Sequence, residues 1–324
     1  MSRRPPILAP CSLLLALTAC GEPATNPANP RYELQTPATE PDAATLTVQL
    51  RGNKAPLLLF AHDDATIVTA AASRRDSAQA QIKIVGTPGN GSLARLDDDS
   101  ADAVVTVSID ALATASIEFC LLAVSGITPP PQVAIGARWF TRANRAAGGQ
   151  ALPSPGEFAL ATMRQQHAEV LTQTPKTDVV FRVGLVIATR DERSARLATA
   201  LASKSREYPQ LHLRLGNDPA EFLAENVNAL LVAGASTPGL VAACEEAMNR
   251  GIKVVGVGSD LPAKAMVASL TIDEDSLGRA AAEAIAAMLP AGGTVLELGY
   301  RSGDPARVAC RNSLAAALAA RQPK

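Results

Sequence analysis

Residues 227–260 read VNALLVAGASTPGLVAACEEAMNRGIKVVGVGSD, and this stretch decides the fold class. Two short apolar runs rich in Leu and Val, Ala229–Ala233 and Lys253–Gly256, flank a helical pattern at Gly239–Arg250. Gly251 follows that pattern and suits the left-handed backbone that ends many helices. Short apolar strands that alternate with longer helices predict βαβ units and a parallel sheet.

The same alternation extends through most of the chain. Further strands are predicted at Leu57–Ala61, Ile82–Gly86, Val104–Ile109, Val133–Ala137, Val183–Ala188, His212–Leu215, Ala268–Ile272 and Val295–Leu298. Further helices are predicted at Ala111–Val124, Phe158–Leu171, Ser194–Arg206, Ser276–Met288 and Asp304–Ala320. The pattern predicts an α/β protein with doubly wound parallel sheets.

The N-terminal residues have the composition of an export signal. A short basic start and a mostly apolar stretch, Ile7–Leu17, precede small residues and Cys20. The sequence LTACG at 17–21 resembles a bacterial lipobox, which implies removal of residues 1–19 and attachment of lipid to Cys20. The alternative is an apolar N-terminus that contains a cysteine by coincidence. The stretch is shorter than the about 20 apolar residues of a membrane-spanning helix, so the expected anchor is lipid, with residues 20–31 as a tether.

The composition narrows the function classes. Lys and Arg together number 30 and Asp and Glu 31, for a formal net charge of −1, so no basic surface for nucleic acid is expected. Cys120 and Cys244 are expected to be small buried apolar residues on helices. The three histidines are isolated from one another in the sequence, so no metal site is expected.

No catalytic or phosphate-binding motif is present in the sequence. There is neither a Gly-x-Ser-x-Gly elbow nor a His-Glu-x-x-His helix. Gly89-Asn90-Gly91 and Gly292-Gly293 lack the Gly-Lys-Ser/Thr ending of a phosphate loop. Asp63 and Asp64 could form an acid–base pair, but adjacent residues at a strand end need not face the same way. The sequence therefore predicts no cofactor and a protein that is not an enzyme.

Several segments together carry a family resemblance. They are VGLVIA (183–188), NDPAEF (217–222), VNALLVAGAS (227–236), AMNRGIKVVGVGSD (247–260), DEDSLGRAAAEAI (273–285) and GGTVLELGYRSGDPARVACRNSLAAAL (292–318). These residues resemble the opening part of a type I periplasmic binding protein of the ribose/galactose class. The resemblance implies two doubly wound parallel-sheet lobes joined by a hinge, with a ligand held between them.

The later segments of that family resemble residues nearer the N-terminus. APLLLFAHDDATIVTAA (55–71) and IKIVGTPGNGSLARL (82–96) resemble two strands of its second lobe, and Ala103–Thr141 resembles its returning crossover strands and the helix between them. The order suggests a circular permutant, which is permissible when the old termini are close and the new break lies in an exposed loop. The alternatives are two unrelated doubly wound domains, or a first lobe fused to another domain.

The permutant interpretation assigns each part of the chain to a lobe. The expected domains are 1–19 signal peptide, 20–31 tether, 32–141 most of the second lobe, 142–180 linker with a helix, 181–272 first lobe, and 273–324 crossover and start of the second lobe.

Ligands of open α/β sheets bind beyond the carboxyl ends of the strands, where loops meet. With two such lobes, the predicted site is the cleft between them. The loop residues expected there are Asp63, Ser108, Arg190, Asp191, Ser236, Asp260, Tyr300 and Arg307. Some loop residues also have a purely structural interpretation. Asp64 could simply cap the next helix, and Arg190 and Arg193 could be solvated without contacting a ligand.

The site pattern departs from that of the family's sugar binders. The resemblance implies an acidic residue at Asp260 and an arginine near Arg307 or Arg311. In contrast, Asp63 replaces the usual Asn and Pro88 the usual Asp. The loop after Val183–Ala188 lacks the family's aromatic platform. These differences leave a small charged ligand as open as a sugar.

The resulting prediction is a lipid-anchored, periplasmic solute-binding protein. It captures a small polar ligand, sugar-like or charged, for an ABC-type importer, so its partners are that ligand and an inner-membrane permease. The alternative is a ligand-sensing or protein-interaction module of the same fold that has lost transport and acts with a sensor protein.

Overall fold

The computed structural model of the 324-residue chain describes residues 31–37, 40–52, 57–79, 81–88, 93–172, 179–188 and 192–321. Cys20 and the expected ligand residues Arg190 and Asp191 lie outside these ranges. The strands are β1 (Arg31–Gln35), β2 (Leu57–Ala61), β3 (Lys83–Gly86), β4 (Ala103–Thr106), β5 (Gln132–Ile135), β6 (Arg138–Phe140), β7 (Gln150–Ala151), β8 (Phe181–Ile187), β9 (Leu211–Gly216), β10 (Ala229–Ala233), β11 (Lys253–Val257), β12 (Ala268–Ile272) and β13 (Gly292–Leu298).

Ten α-helices alternate with these strands within the described ranges. They are α1 (Ala43–Gly52), α2 (Asp64–Ser77), α3 (Ala94–Asp97), α4 (Ile109–Val124), α5 (Pro155–Gln166), α6 (Glu192–Ser205), α7 (Pro219–Ala224), α8 (Pro238–Asn249), α9 (Glu274–Met288) and α10 (Pro305–Ala319). The α/β class predicted from the sequence is confirmed.

The strands form two sheets. The larger sheet has the order β1-β13-β2-β3-β4-β6-β7 and the smaller sheet the order β5-β12-β11-β10-β8-β9. All pairs in the smaller sheet are parallel, while β6 and β7 continue the larger sheet in antiparallel fashion. In the smaller sheet the strands β8 to β12 follow the doubly wound order 2-1-3-4-5. The larger sheet has the same order when β13 is counted first and β1 second.

The expected pairing of Tyr32–Gln35 with the sheet of Val295–Leu298 is present. β1 lies parallel to β13, with Tyr32 opposite Gly293 and Leu34 opposite Val295. The Tyr32 hydroxyl also donates to the Leu289 carbonyl at 3.0 Å. The N-terminal end of the described chain therefore lies on the larger sheet, and α10, which precedes the C-terminal end, packs against β1.

Several predicted boundaries differ from those observed. The strand predicted at Val104–Ile109 ends at Thr106, because Ser108 caps α4 and accepts the Ala111 amide at 3.2 Å. The helix predicted at Phe158–Leu171 is α5, which begins earlier because Ser154 caps it and accepts the Glu157 amide. The predicted connector at Ala147–Pro155 contains β7, which pairs with β6.

The chain between β4 and β6 does not stay with the larger sheet. Helix α4 packs against α6 and against β10, β11 and β12 of the smaller sheet, and β5 pairs with β12. Residues 109–135 thus lie on the smaller sheet, although the sequence interpretation grouped 32–141 into one lobe. The reason is that α4 is apolar around nearly its whole circumference and is buried between layers, including Phe119 and Cys120.

The chain passes between the sheets at neighbouring points. Two of them are the β5–β6 connection and the β12–α9 connection. The Ala137 amide donates to the Ser276 hydroxyl at 2.7 Å, and the Asp273 amide donates to the Ile135 carbonyl at 3.0 Å. These hydrogen bonds tie the two crossings together, and Ser276 is almost fully buried there.

The cysteines in the described ranges are buried, as predicted for Cys120 and Cys244. Burial raises the pKa of the Cys244 thiol to about 11 and that of Cys310 to about 12. These thiols are therefore neutral at physiological pH and behave as apolar groups. Among the helices of the described ranges, none combines the length and apolar character needed to cross a membrane.

Candidate functional site

A cavity of about 220 Å³ lies where the carboxyl ends of strands from both sheets meet. The larger sheet contributes residues after β2, β3, β4 and β13, and the smaller sheet contributes the end of β12 and Arg193 on α6, the helix that follows β8. Its polar lining consists of His62, Asp63, Thr87, Thr106, Arg193, Glu274, Asp304 and Arg307. The volume is below the roughly 300–1,000 Å³ of sites for drug-sized molecules, so the cavity suits a small ligand.

Asp63 and Arg307 are joined by an ion pair on the wall of the cavity. Arg307 Nη2 lies 3.1 Å from Asp63 Oδ2, Nη1 donates to the Gly299 carbonyl, and Nε lies 3.3 Å from Asp304 Oδ2. Asp63 also caps α2, accepting the Thr66 amide at 2.8 Å. Burial raises the pKa of Asp63, but hydrogen bonds from Thr66 and Arg307 outweigh it, and the pKa lies below its usual range. Asp63 and Arg307, both predicted as site residues, therefore line the cavity, and these hydrogen bonds fix the orientation of their side chains.

Asp63, and not Asp64, is the helix cap. The sequence alone allows Asp64, one residue later, as the cap. Asp64 instead accepts two hydrogen bonds from Arg95, from Nε at 2.8 Å and from Nη2 at 2.5 Å. The reason is that α2 begins at Asp64, so the residue with extended backbone before it is Asp63.

Glu274 and Arg193 line the opposite part of the cavity. Glu274 is the first residue of α9, after Asp273, which caps the helix by accepting the Ser276 amide at 2.9 Å. Burial raises the pKa of Glu274, Arg193 opposes this, and Asp304 adds to it. Within the described residues no hydrogen bond to the Glu274 carboxylate occurs. The cavity thus contains a carboxylate with spare acceptor capacity.

His62 and Glu297 form a buried pair beside the cavity. His62 Nε2 lies 2.7 Å from Glu297 Oε1. Glu297 Oε2 accepts from Thr36 Oγ1 at 2.5 Å and from Arg311 Nε at 3.1 Å. Burial raises the pKa of Glu297, but the hydrogen bonds from His62 and Thr36 and the charge of Arg311 bring it below its usual range. The carboxylate is therefore ionised at neutral pH.

Tyr300 lies beside this pair and does not line the 220 Å³ cavity. The Arg311 guanidinium carbon is 5.1 Å from the centre of its ring, and the ring of His62 is 6.1 Å away. The half-buried Tyr300 therefore packs against the charged network, behind the cavity wall formed by His62.

Ser108 lies in a larger adjoining cavity of about 1180 Å³. The two cavities share Thr106, Val107 and Ile109, so they form one continuous cleft. The larger part is lined by α6 on one side and by β6 and α3 on the other. Ser108 is placed in the cleft, but its hydroxyl already accepts a backbone amide of α4.

Ser236 and Asp260 are brought together with each other and line neither cavity. The Ser236 amide donates to Asp260 Oδ1 at 2.6 Å, and this hydrogen bond lowers the pKa of Asp260. Asp260 is exposed and fixes one loop of the smaller sheet against the next.

His62, Glu274 and Glu297 were not among the expected site residues. Sequence signals exist for two of them. Glu297 interrupts the largely apolar strand segment TVLELG at 294–299, and Glu274 lies two residues after the strand Ala268–Ile272. His62 precedes Asp63 at the end of β2, and only the fold brings it to Glu297, 235 positions away.

Residues 220–324 match a protein family described as "periplasmic binding protein domain". This segment includes the strands β10 to β13 and the crossing at α9. The match supports the resemblance to type I periplasmic binding proteins that the sequence motifs indicate. No curated protein matches the chain.

Solved structures that are similar to the chain include the following three. A fructose-binding periplasmic domain of a hybrid two-component system has 22% identity and a TM-score of 0.32, over 43% of this chain and 50% of that chain. The match thus spans half of that domain. A protein from Pyrococcus horikoshii OT3 has 13% identity and a TM-score of 0.26, over 90% of each chain. A 2-hydroxyacid dehydrogenase from Ketogulonicigenium vulgare has 12% identity and a TM-score of 0.28, over 91% of this chain and 97% of that chain.

Proposed function

We propose that the protein is a solute-binding protein that takes one small polar ligand into the 220 Å³ cavity between its sheets. The observation that carries the proposal is the convergence of charged groups from both sheets. Arg307 and Asp63 come from the larger sheet and Arg193 follows β8 of the smaller one. Glu274 joins them from the crossing. Polar groups that converge in a cleft at the carboxyl ends of strands are typical of binding sites in α/β proteins.

In this proposal the two lobes close over the ligand by rotating about the β5–β6 and β12–α9 connections. The hydrogen bonds that join Ala137 to Ser276 and Ile135 to Asp273 lie between the two sheets. Rotation at such short connections brings two lobes together over a ligand and changes the outer surface. A change of that kind can be recognised by a membrane partner.

The partner in this proposal is an ABC-type importer in the inner membrane, and the compartment is the periplasm. The family match of residues 220–324 supports this compartment. Lipid on Cys20 would hold the protein at a membrane, with residues 20–31 as tether. The LTACG sequence at 17–21 supports the anchor.

We also infer that the order of the elements arose by circular permutation. The doubly wound order of the larger sheet begins with β13 and continues with β1, so its first strand comes last in the chain. The two described ends lie near each other, because α10 packs against β1. The charge of Arg321 accordingly acts on Tyr32 and opposes the rise in pKa that burial causes. Close ends support a rearrangement in which old and new termini exchange.

Calorimetric titration tests the binding function. The full chain in detergent is titrated with D-ribose, D-fructose, myo-inositol and sulfate, and saturable binding of at least one of them is expected. Arg193→Ala should weaken that binding by about tenfold or more, because a charge-assisted hydrogen bond contributes about 1.5–3 kcal/mol. Arg206→Ala, an exposed arginine at the end of the same helical segment, is the matched control and should leave affinity unchanged.

Trp139 provides a second readout of binding. It is the only tryptophan of the chain and lies on β6, directly after the β5–β6 crossing. Closure should change its fluorescence in proportion to saturation. Absence of both heat and fluorescence change with every probe would contradict the proposal.

A further inference from the structure

The Glu297 carboxylate is fully buried in β13, between β1 and β2 of the larger sheet. Burial of a carboxylate is unfavourable unless hydrogen bonds and charges compensate for it. Three side chains do so here, and each comes from a different element. Thr36 follows β1, His62 follows β2, and Arg311 lies on α10.

The pair fixes the orientation of the His62 ring. An ionised carboxylate only accepts hydrogen bonds, so Nε2 of His62 must carry the proton that lies between it and Glu297 Oε1. In the neutral ring the other nitrogen, Nδ1, is then an acceptor. No hydrogen bond to Nδ1 occurs within the described residues, and the His62 side chain lines the cavity. The geometry leaves one unused acceptor on a ring that the cavity touches.

We propose that His62 is a ligand-contacting residue whose Nδ1 accepts a hydrogen bond from a ligand hydroxyl, and that Glu297 is the positioning residue that holds the ring for this contact. This inference rests on the proposed binding function and adds a specificity determinant to it. A hydroxyl donor is preferred because Asp63, the next residue, presents further acceptors on the same wall. An anion that has no proton to donate cannot form a hydrogen bond to His62 Nδ1 or to the Asp63 carboxylate.

Glu118 offers a matched comparison for Glu297. It is also a buried glutamate, and both of its oxygens lie 2.9 Å from Arg164 Nε. It lies on α4 and lines neither cavity of the cleft. A change of affinity that follows loss of Glu297 but not loss of Glu118 therefore separates ligand positioning from general stability.

Nitrogen NMR of the histidines tests the positioning step without any ligand. The full chain contains three histidines, and the signal of His62 is assigned by its loss in His62→Gln. The neutral His62 ring should carry its proton on Nε2, and Glu297→Gln should reduce the fraction of that tautomer. Glu118→Gln should leave it unchanged. A ring protonated on Nδ1 in the wild type would overturn the proposal.

Binding variants test the contact itself with D-ribose, D-fructose, myo-inositol and sulfate as probes. His62→Gln retains a donor toward Glu297 but removes the Nδ1 acceptor, so it should weaken binding of the sugar or polyol by about tenfold, equivalent to about 1.4 kcal/mol. His62→Asn places an acceptor near the Nδ1 position and should restore part of the loss. Both variants are compared at equal folded fraction, measured by thermal unfolding.

The outcomes separate this inference from the proposed function. If the wild type binds none of the probes, the binding function and the His62 contact both fail. If the wild type binds a sugar or polyol and His62→Gln binds it equally well, only the His62 contact fails. Tightest binding of sulfate with no effect of His62→Gln also overturns the contact while leaving the binding function intact.

Discussion

Gly278 of α9 lies against the backbone of Cys310 of α10 so closely that no side chain fits between the helices. A Cβ atom on Gly278 would lie 2.1 Å from the Cys310 carbonyl oxygen and 2.7 Å from the Leu314 amide nitrogen. The first turns of these two helices carry Glu274 and Arg307, which line the cavity. The close approach of the helices thus helps to set the distance between opposite charges of the site.

Gly278→Ala should therefore destabilise the protein. The added methyl group meets backbone atoms that cannot move independently, and overpacking of this kind costs about 1–3 kcal/mol. Gly239→Ala on α8 is the control, because nothing lies within 4 Å of its Cβ position. That change should stabilise the native protein by about 0.4–1 kcal/mol, because alanine lowers the conformational entropy of the unfolded chain. Urea unfolding measures both, and equal stability of Gly278→Ala and wild type would show that the helices can separate.

Asp63→Asn should lower the melting temperature at pH 7, since the asparagine still caps α2 but loses the ion pair with Arg307. The native pKa of Asp63 is lowered, so its contribution is complete above the unfolded pKa of about 3.9 and is lost as pH falls through the native pKa. The difference from wild type should shrink from pH 7 to pH 3.

Asp218→Asn is the control for that experiment. Asp218 caps α7 by accepting the Ala220 amide, and no ion pair to it occurs within the described residues. This change should have little effect at either pH. A difference for Asp63→Asn that stays constant with pH would show that the ion pair does not contribute.

Glu274→Gln should raise the melting temperature at pH 7. Burial, together with the charge of Asp304, raises the native pKa of Glu274 above that of the unfolded chain, and Arg193 only partly opposes this. The native state then favours the protonated form, so stability falls as pH rises between the unfolded pKa and the native pKa. The gain in melting temperature of Glu274→Gln over the wild type should disappear at pH 4. Thermal unfolding at both pH values checks this, and a lower melting temperature at pH 7 would contradict it.

The repeating βαβ pattern made most of the fold predictable. Strands such as Ala229–Ala233 match the observed elements to the residue, because long apolar runs between helices have few other interpretations. The short antiparallel strands β6 and β7 were missed. Each has at most three residues, and their pairing, β6 with β4 and β7 with β6, depends on the neighbouring strand and not on a local sequence pattern.

The site was predictable only where a residue lies between the carboxyl end of a strand and the first turn of the next helix. Asp63 and Arg307 reach the cavity because the carboxyl ends of parallel strands share an edge. Asp260 also follows a strand, yet it turns toward the amide of Ser236, and this depends on the exact path of two loops. The His62–Glu297 pair joins residues far apart in sequence, so its formation depends on the register between β2 and β13.

A rearranged chain tests the permutation. Residues 179–321, a short Gly/Ser linker and residues 31–172 would restore β13 before β1 in the chain. This chain should fold with the same helix content and a similar melting temperature, because α10, which ends just before Arg321, packs against β1, which begins at Arg31, and flexible linkers span short gaps. Circular dichroism and thermal unfolding measure the result. Failure to fold while the original order folds would indicate that this order is required.

Cys20→Ser should release the protein from membranes while leaving its folded body intact. The lipobox resemblance at 17–21 motivates this expectation. Stable anchoring needs more than one acyl chain, since a single chain of myristoyl length gives only marginal, reversible binding, and the lipobox resemblance implies lipid on both the Cys20 sulfur and its new amino group. Cys11→Ser is the control, because Cys11 lies in the segment expected to be removed. Membrane fractionation and intact mass measure both variants. Continued membrane association of Cys20→Ser, or loss of association in Cys11→Ser alone, would show that the anchor lies elsewhere.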